Sequence, residues 1–323
     1  MTNTDLTQLE QRVTELRTQP IPSLQFVDAL NTWAQALSPI DITRALTISK
    51  EAYKLACLLQ DHMGMAVSMA RLSWLHLESG MFDVALLEAK QARSMAKQLH
   101  DYTLFVRSIY VLALAYEQAG NFKQAETLLQ SLASLAHENG DRLRQADFLV
   151  ALGKLYGLQH DFVHAYDYYR QSHAMYVELA DVTHIFAKNN MAYALTMRGR
   201  YVEALEWVQQ SIQLCDPRWQ VWRALFVHTL GAVHVHLGEY DLALVEFNES
   251  LAMSRLPAGR KETAVQVLLD LARLELLGNR MAPAYEALKQ ASALAVETKS
   301  VPQQTEAHRL LFRISHRNRT RTR

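Results

Sequence analysis

The amino-acid sequence predicts an all-α repeat protein, and three observations carry that prediction. An alanine recurs at Ala45, Ala85, Ala125, Ala165, Ala204, Ala243 and Ala284, at spacings of 40, 40, 40, 39, 39 and 41 residues. A period of this size held over seven copies marks a solenoid, in which each repeat buries its apolar face on its neighbours. Glycine (11) and proline (7) are scarce, while alanine and leucine return at helical intervals. Half of the 323 residues are apolar, enough for one continuous core, so the length does not call for two ordinary domains.

Composition narrows the partners. Lys plus Arg (33) equals Asp plus Glu (33), so no global field draws the chain to nucleic acid or to an anionic membrane. Cys57 and Cys215 stand in distant repeats, which argues against a disulfide framework, suits a reducing compartment and fits two small buried apolar side chains. The first twenty residues are polar and no apolar run approaches the ~18 residues needed to cross a bilayer. A cytoplasmic protein with no membrane contact is expected.

Taken in order, residues 1–22 are expected to form an N-terminal capping helix. Leu6, Leu9, Val13 and Leu16 make one stripe, ending before Pro20 and Pro22. A homodimer through a short coiled coil is the alternative use of that stripe. Seven repeats follow over 23–300. Ser23 caps a helix through Leu37, and Ser38-Pro39 breaks it. Asp61, Asp101, Asp141 and Asp181 then stand 40 residues apart, each ahead of an apolar-periodic run. A carboxylate there accepts from unpaired backbone N–H groups and opposes the helix dipole.

The first helix of each pair ends at a turn: Gly80-Met81-Phe82, Gly120-Asn121-Phe122, His160-Asp161-Phe162, Gly199-Arg200-Tyr201 and Gly238-Glu239-Tyr240. Glycine supplies a left-handed C-cap, and the aromatic fills the gap between paired helices. Seven residues beyond each turn alanine the second helix is usually small again, at Ala52, Ala92, Ser172, Ser211, Ser250 and Ala291, with Leu132 the exception. Small residues at i and i+7 let two helices approach closely. Asp216-Pro217 arrives early, and Gly278 to Ala284 reads as one residue longer with Pro283 inside, so local geometry should differ at both. Pro302 opens a C-terminal capping helix over 301–315, in the phase of an eighth first helix, and 316–323 is expected to be a disordered basic tail.

The pattern resembles the tetratricopeptide repeat (TPR), on Leu152, Gly153 and Tyr156 in the first helix followed by the turn aromatic and Ala165. Leu112-Ala113 with Tyr116 and Leu230-Gly231 with His234 keep most of it. The period is longer than the usual ~34 residues, as in kinesin light chain and the sensor regions of bacterial regulators. Asn189-Asn190-Met191-Ala192 followed by Gly199-Arg200-Tyr201-Val202-Glu203-Ala204 is similar to the kinesin light chain repeat, and the closing proline of the family is absent except near Pro217 and Pro257. The resemblance implies a right-handed superhelical solenoid with terminal capping helices. It also implies a non-enzymatic scaffold or adaptor that binds a protein or peptide on its concave face without a cofactor.

The same resemblance places the first helices on that face and selects Arg71, Trp74, Arg107, Tyr110, Lys154, Asn189, Asn190, Tyr193 and His228 as peptide-binding residues. Asn can bond a ligand main chain through both amide atoms. The plainer reading is that these groups bond between neighbouring helices or face solvent. His160 with His164, and His234 and His236 beside His228, lack the convergent Cys or carboxylate partners of a zinc site, so no metal is expected. Tyr166, Tyr168, Tyr169 and Tyr176 read as packing between helices. No phosphate loop, nucleophile elbow or carboxylate pair stands at catalytic spacing, so no enzyme is expected. The alternative function is a sensor or regulatory module of a bacterial signalling or transcription system. Arg313, Arg317, Arg319, Arg321 and Arg323 read as a solvated terminus or as an electrostatic hook for nucleic acid or an acidic partner.

Overall fold

The computed structural model describes residues 3–19, 21–256, 259–298 and 300–321, the side chains of 3–5, 301 and 316–321 excepted. Pro20, Pro257 and Arg323 lie outside the described residues. All regular structure among those described is helical. After α1 (Asn3–Arg17), seven consecutive helix pairs follow: α2 (Leu24–Leu37) with α3 (Ile42–Leu58), α4 (His62–Glu78) with α5 (Phe82–Gln98), and α6 (Tyr102–Gln118) with α7 (Phe122–Glu138). Then come α8 (Arg142–Leu158) with α9 (Phe162–Glu178), α10 (His184–Met197) with α11 (Tyr201–Leu214), α12 (Gln220–Leu237) with α13 (Tyr240–Ser254), and α14 (Lys261–Leu277) with α15 (Met281–Glu297). The chain closes on α16 (Val301–Arg321). It divides into two compact units, Met1–Phe148 and Leu149–Arg323.

The recurring alanine sits in the first turn of each second helix and is fully buried in all seven copies. Seven residues on, the second small position is buried too, and the Ser211 and Ser250 hydroxyls donate across to the carbonyls of Ile185 (3.1 Å) and Ala224 (2.6 Å) on their first helices. Such cross-helix bonds need the close approach that only small residues permit.

A size rule runs through the pairs. The small residue of the first helix and the residue sixteen later on the second are Ser73–Ala89, Ala113–Leu129, Gly153–Tyr169, Ala192–Val208, Gly231–Phe247 and Ala272–Leu288. Where the second residue is aromatic the first is glycine: a Cβ on Gly153 would lie 2.5 Å from the Tyr169 ring, and one on Gly231 2.7 Å from Phe247.

The caps follow local chemistry. Asp61, Asp101 and Asp141 accept from the N–H three residues on, at 3.0, 2.8 and 3.2 Å. Asp181 departs from the expectation: its carboxylate takes the Thr183 N–H (2.8 Å) and hydroxyl (2.5 Å), closing a turn, so that α10 begins at His184 behind Thr183. Gly80, Gly120, Gly199 and Gly238 adopt φ of +74° to +82°, and His160 stands in the same left-handed position at 60°.

Two further expectations are corrected. The extra residue of the last repeat is not in the Gly278–Ala284 turn. Leu271 precedes Ala284 by 13 residues, as Leu230 precedes Ala243, so the addition falls between α13 and α14. Pro283 lies in the first turn of α15, where no intrahelical N–H is needed. Cys57 is exposed rather than buried, whereas Cys215 is buried. The last helix, α16, is described through Arg321. Near Asp216-Pro217 the geometry does change: α11 ends at Leu214 and Cys215 is extended.

At the N-terminus, Val13 is 1% exposed, and Leu6, Leu9 and Leu16 pack with it against a core of α2 and α3 residues that includes Phe26, Leu30 and Ile48. Arg17 fixes the helix with three bonds to Glu51 at 3.2, 2.8 and 2.7 Å, and Arg44 pairs with Glu10. The stripe is thus used within the chain.

Candidate peptide-binding face

Four helices of the C-terminal unit line one cleft of about 490 Å³. Asn189, Asn190 and Tyr193 come from α10, Leu225, His228, Thr229 and Ala232 from α12, Gln266 and Asp270 from α14, and Gln303 from α16. Arg260, Glu262 and Thr263 complete it at the start of α14. These are first helices, and residues three and four apart on each share a face.

The floor of the cleft is polar and unevenly satisfied. Asn189 is 3% exposed and its Oδ1 has no hydrogen-bond donor; Gln303 Oε1 is likewise enclosed without one. Tyr193 is exposed and meets Phe162 edge-on at 6.1 Å. His228 Nε2 lies 2.8 Å from Asp270 Oδ2, which also accepts from Gln266 at 3.1 Å. Arg273 pairs with the same carboxylate and donates to Glu306 at 2.8 Å. Burial works to raise the Asp270 carboxyl, but bonding and charge from His228, then Arg273 and Gln266, outweigh it and hold the carboxyl below its ordinary value. Partial withdrawal of its hydroxyl from water, and after it the Asp270 charge, raise the Tyr193 phenol.

Asn189, Asn190, Tyr193 and His228 are therefore brought together. Leu225, Thr229, Ala232, Gln266 and Asp270 share the cleft without having been singled out from the sequence. The first three continue the phase that selected His228, but being apolar or small they gave no chemical signal. Lys154, on α8, is exposed and outside this lining.

In the N-terminal unit, Arg71 and Trp74 lie on α4, and Arg107 and Tyr110 on α6. Arg71 is 5% exposed and donates from Nη2 to Gln35 Oε1 at 2.7 Å, while its Nε has no acceptor. Burial, and then the neighbouring Arg107 charge, lower its pKa to about 10. Burial lowers Arg107 as well. Tyr110 packs against Phe148 with ring centroids 5.8 Å apart, and burial, then Glu117 and Asp147, raise its phenol.

The remaining histidines and tyrosines have separate tasks. His164 pairs with Asp161 at 2.6 Å, His234 with Glu246 at 2.7 Å, and His236 stacks on Tyr201 at 5.2 Å. Among the described residues no group of three or more His, Cys, Asp or Glu side chains is placed to hold a metal ion. Tyr169 and Tyr176 are buried, Tyr168 stacks on Tyr156, and Tyr166 lies beneath Arg198. Arg313 borders a depression between α14 and α16 with Leu276, Leu277, Leu310 and Ile314. Arg317, Arg319 and Arg321 have no described side chains. No described helix is long and apolar enough to cross a membrane.

Family models described as Tetratricopeptide repeat match residues 187–215 and 108–131. No curated protein matches the chain in sequence. Among solved structures, a chain of the APC/C hetero-tetramer Cut9-Hcn1 is similar over 96% of this chain and 52% of its own length, with a TM-score of 0.60 at 16% identity. The present chain thus spans about half of that one. The apo quorum sensor NprR from B. thuringiensis is similar over 97% of this chain and 94% of its own, with a TM-score of 0.58 at 12% identity. A Rap protein complexed with Competence and Sporulation Factor is similar over 98% and 88%, with a TM-score of 0.54 at 14% identity. The class is set by fold and by two matched repeats: this is an all-helical, TPR-like solenoid protein. Its repeats are of the long kind, 39 to 41 residues apart.

Proposed function

We propose that the protein is a non-enzymatic scaffold that binds an extended protein or peptide segment on its first-helix face. The cleft built by Asn189, Asn190, Tyr193 and His228 is its principal contact in the C-terminal unit. The observation that carries this reading is the enclosed Asn189 side chain, whose Oδ1 lacks a donor beside an open, aromatic-edged cleft. A buried amide left unpaired is costly, and a shift of the Asn189 side chain toward the cleft would let a backbone N–H of an incoming segment relieve it. In this reading the helix pairs of 23–300 are the working array, 1–22 and 301–315 cover its ends, no cofactor is used, and the setting is cytoplasmic.

A sensor or regulatory module is the second reading. It is favoured by the likeness in fold to a quorum sensor and to a Rap protein solved with a signalling factor. The two readings share the site and differ in what occupies it.

Selection of binders from a random peptide library, followed by titration of the best one against wild type and an Asn189→Ala/Asn190→Ala double variant, tests the site. Binding should weaken by about 1–3 kcal/mol, from the hydrogen bonds removed, with the helical circular-dichroism signal retained. Unchanged affinity in a folded double variant would place binding elsewhere.

A further inference from the structure

The turns that close the helix pairs of the C-terminal unit lie in a row along one edge. Contacts between successive pairs fix the order. Phe162 of α9 meets Tyr193 of α10 at 6.1 Å, Tyr201 of α11 stacks on His236 of α12 at 5.2 Å, and Val235 of α12 and Leu276 of α14 pack on one core cluster. Two positions flank each turn, seven residues and two residues before the turn alanine. In the N-terminal unit they are polar and exposed, Glu78 and Gln118 at the first and Asp83 and Lys123 at the second. In the C-terminal unit the first is exposed and apolar at Leu158, Met197 and Leu277, and the second at Val163 and Val202. Tyr240 and Leu242, also exposed, carry the strip across the α12–α13 turn. The fold does not ask for these residues, since the N-terminal unit builds the same turns with polar ones. A run of exposed apolar side chains over four consecutive turns, unlike single ones, marks an interaction surface.

We propose that this edge is the contact between two copies of the chain, related by a twofold axis passing between the α10–α11 and α12–α13 turns. The inference stands apart from the peptide-binding reading and does not need it. Charge identifies the occupant. A twofold in that place sets the edge antiparallel to its copy, so the α10–α11 turn faces the α12–α13 turn of the other. The first turn carries Arg198 and Arg200, the second Glu239 and Asp241. Opposite signs therefore meet on both sides of the axis, while Met197 and Val202 face Tyr240 and Leu242. The outer turns follow, with Leu158 and Val163 opposite Leu277. A twofold running along the edge would instead set arginine against arginine. Arg200 holds Glu203 within its own helix, and both are more than two-fifths exposed; such pairs contribute little and exchange readily. Four turns at the about 9 Å spacing of packed helices, each about two helices wide, offer roughly 700 Å² per copy, within the range of specific interfaces. Alternating signs along the strip disfavour an anionic membrane, which attracts basic residues alone.

Sedimentation velocity of the whole protein over a dilution series tests the contact. Wild type should run as a dimer that dissociates on dilution. Val202→Glu places an acid in the first turn of a helix, where it is tolerated. It should keep the helical circular-dichroism signal and raise the dimer dissociation constant at least tenfold. Arg200→Glu and Asp241→Arg should each weaken the dimer as well. An equimolar mixture of those two variants should regain the wild-type dimer, because in the mixed pair each turn again meets its opposite charge. Lys123→Glu, at the equivalent place in the N-terminal unit, should change nothing. A monomer at every concentration would overturn the proposal, and so would a dimer that Val202→Glu leaves intact. Weakened single variants whose mixture does not recover would overturn the twofold placement. A monomer that co-sediments with phosphatidylserine vesicles, and loses them on Val202→Glu, would give the edge to a membrane instead.

Discussion

The first helices of the two units carry charge in opposite ways. On α4 and α6 of the N-terminal unit, Arg71 and Arg107 have no ion pair among the described residues. On α12, α14 and α16 of the C-terminal unit, His228, Asp270, Arg273, Glu306 and Arg309 alternate base and acid in an unbroken chain of contacts. The packing beneath differs as well. The first-helix small position is Ser73 and Ala113 in the N-terminal unit, opposite Ala89 and Leu129; in the C-terminal unit two pairs keep that pattern, Ala192–Val208 and Ala272–Leu288, and two replace it with Gly153 and Gly231 opposite Tyr169 and Phe247. Arg71 is withdrawn from water without an ion pair among the described residues, whereas Asp270 is met by both His228 and Arg273. Among the enclosed polar atoms without a partner are Arg71 Nε in the first unit and Asn189 Oδ1 and Gln303 Oε1 in the second.

The packing difference is open to the most drastic test. Phe247 is 1% exposed, so Phe247→Ala should cost about 3–5 kcal/mol through lost burial and a cavity. Gly231→Ala should cost about 1–3 kcal/mol, because its Cβ would overlap the ring. The informative variant combines Gly231→Ala with Phe247→Leu, which recreates the Ala113–Leu129 arrangement. It should recover most of the loss from Gly231→Ala alone in a denaturant-unfolding double-mutant cycle. Additive losses would mean that the two repeats are not built to one rule.

The charge difference gives the next effect. Asp270→Asn leaves His228 and Arg273 without their shared carboxylate and should cost about 1–3 kcal/mol at neutral pH. The pH dependence has a definite sign. The folded Asp270 carboxyl is held below its ordinary value; its contribution is present above the unfolded value of about 4 and is lost as pH falls through the folded value. Wild type should therefore lose more stability than Asp270→Asn as the pH falls below about 4. Parallel thermal-unfolding curves for the two proteins would break the comparison.

The fold was legible because its determinants are local and repeated. The turn alanine at a 39- to 41-residue period, the cap aspartates and the left-handed glycines each act within one helix pair, so periodicity exposes them. The Asn189, Asn190, Tyr193 and His228 set was reachable through helical phase carried over from a related repeat. Asp270 was not, because its role depends on His228, 42 residues earlier, and on Glu306 through Arg273; no local pattern records such a chain. The Gly–aromatic size rule was present in the letters but acquires meaning only once the two helices are known to touch. Asp181 misled for the opposite reason. It occupies the right place in the period, yet Thr183 two residues later offers its carboxylate nearer donors than a helix would.

The smallest effect separates two turns in equivalent positions, Gly80 in the N-terminal unit and His160 in the C-terminal unit. Both are left-handed, at φ 76° and 60°. Gly80→Ala meets no atom within 4 Å, so its cost is backbone strain alone, about 1 kcal/mol. His160→Gly removes that same strain, but it also restores chain entropy to the unfolded state, worth roughly 0.5–1 kcal/mol in the opposite direction. It further deletes the edge-on contact of the imidazole with Phe162 at 5.9 Å. The opposing contributions nearly cancel, and His160→Gly should change the unfolding free energy by no more than about 0.5 kcal/mol. Chemical denaturation of both variants decides it. A stabilisation well above 1 kcal/mol from His160→Gly would mean that His160 is kept at the cost of strain, and would make that turn a place to look for a contact with the ligand.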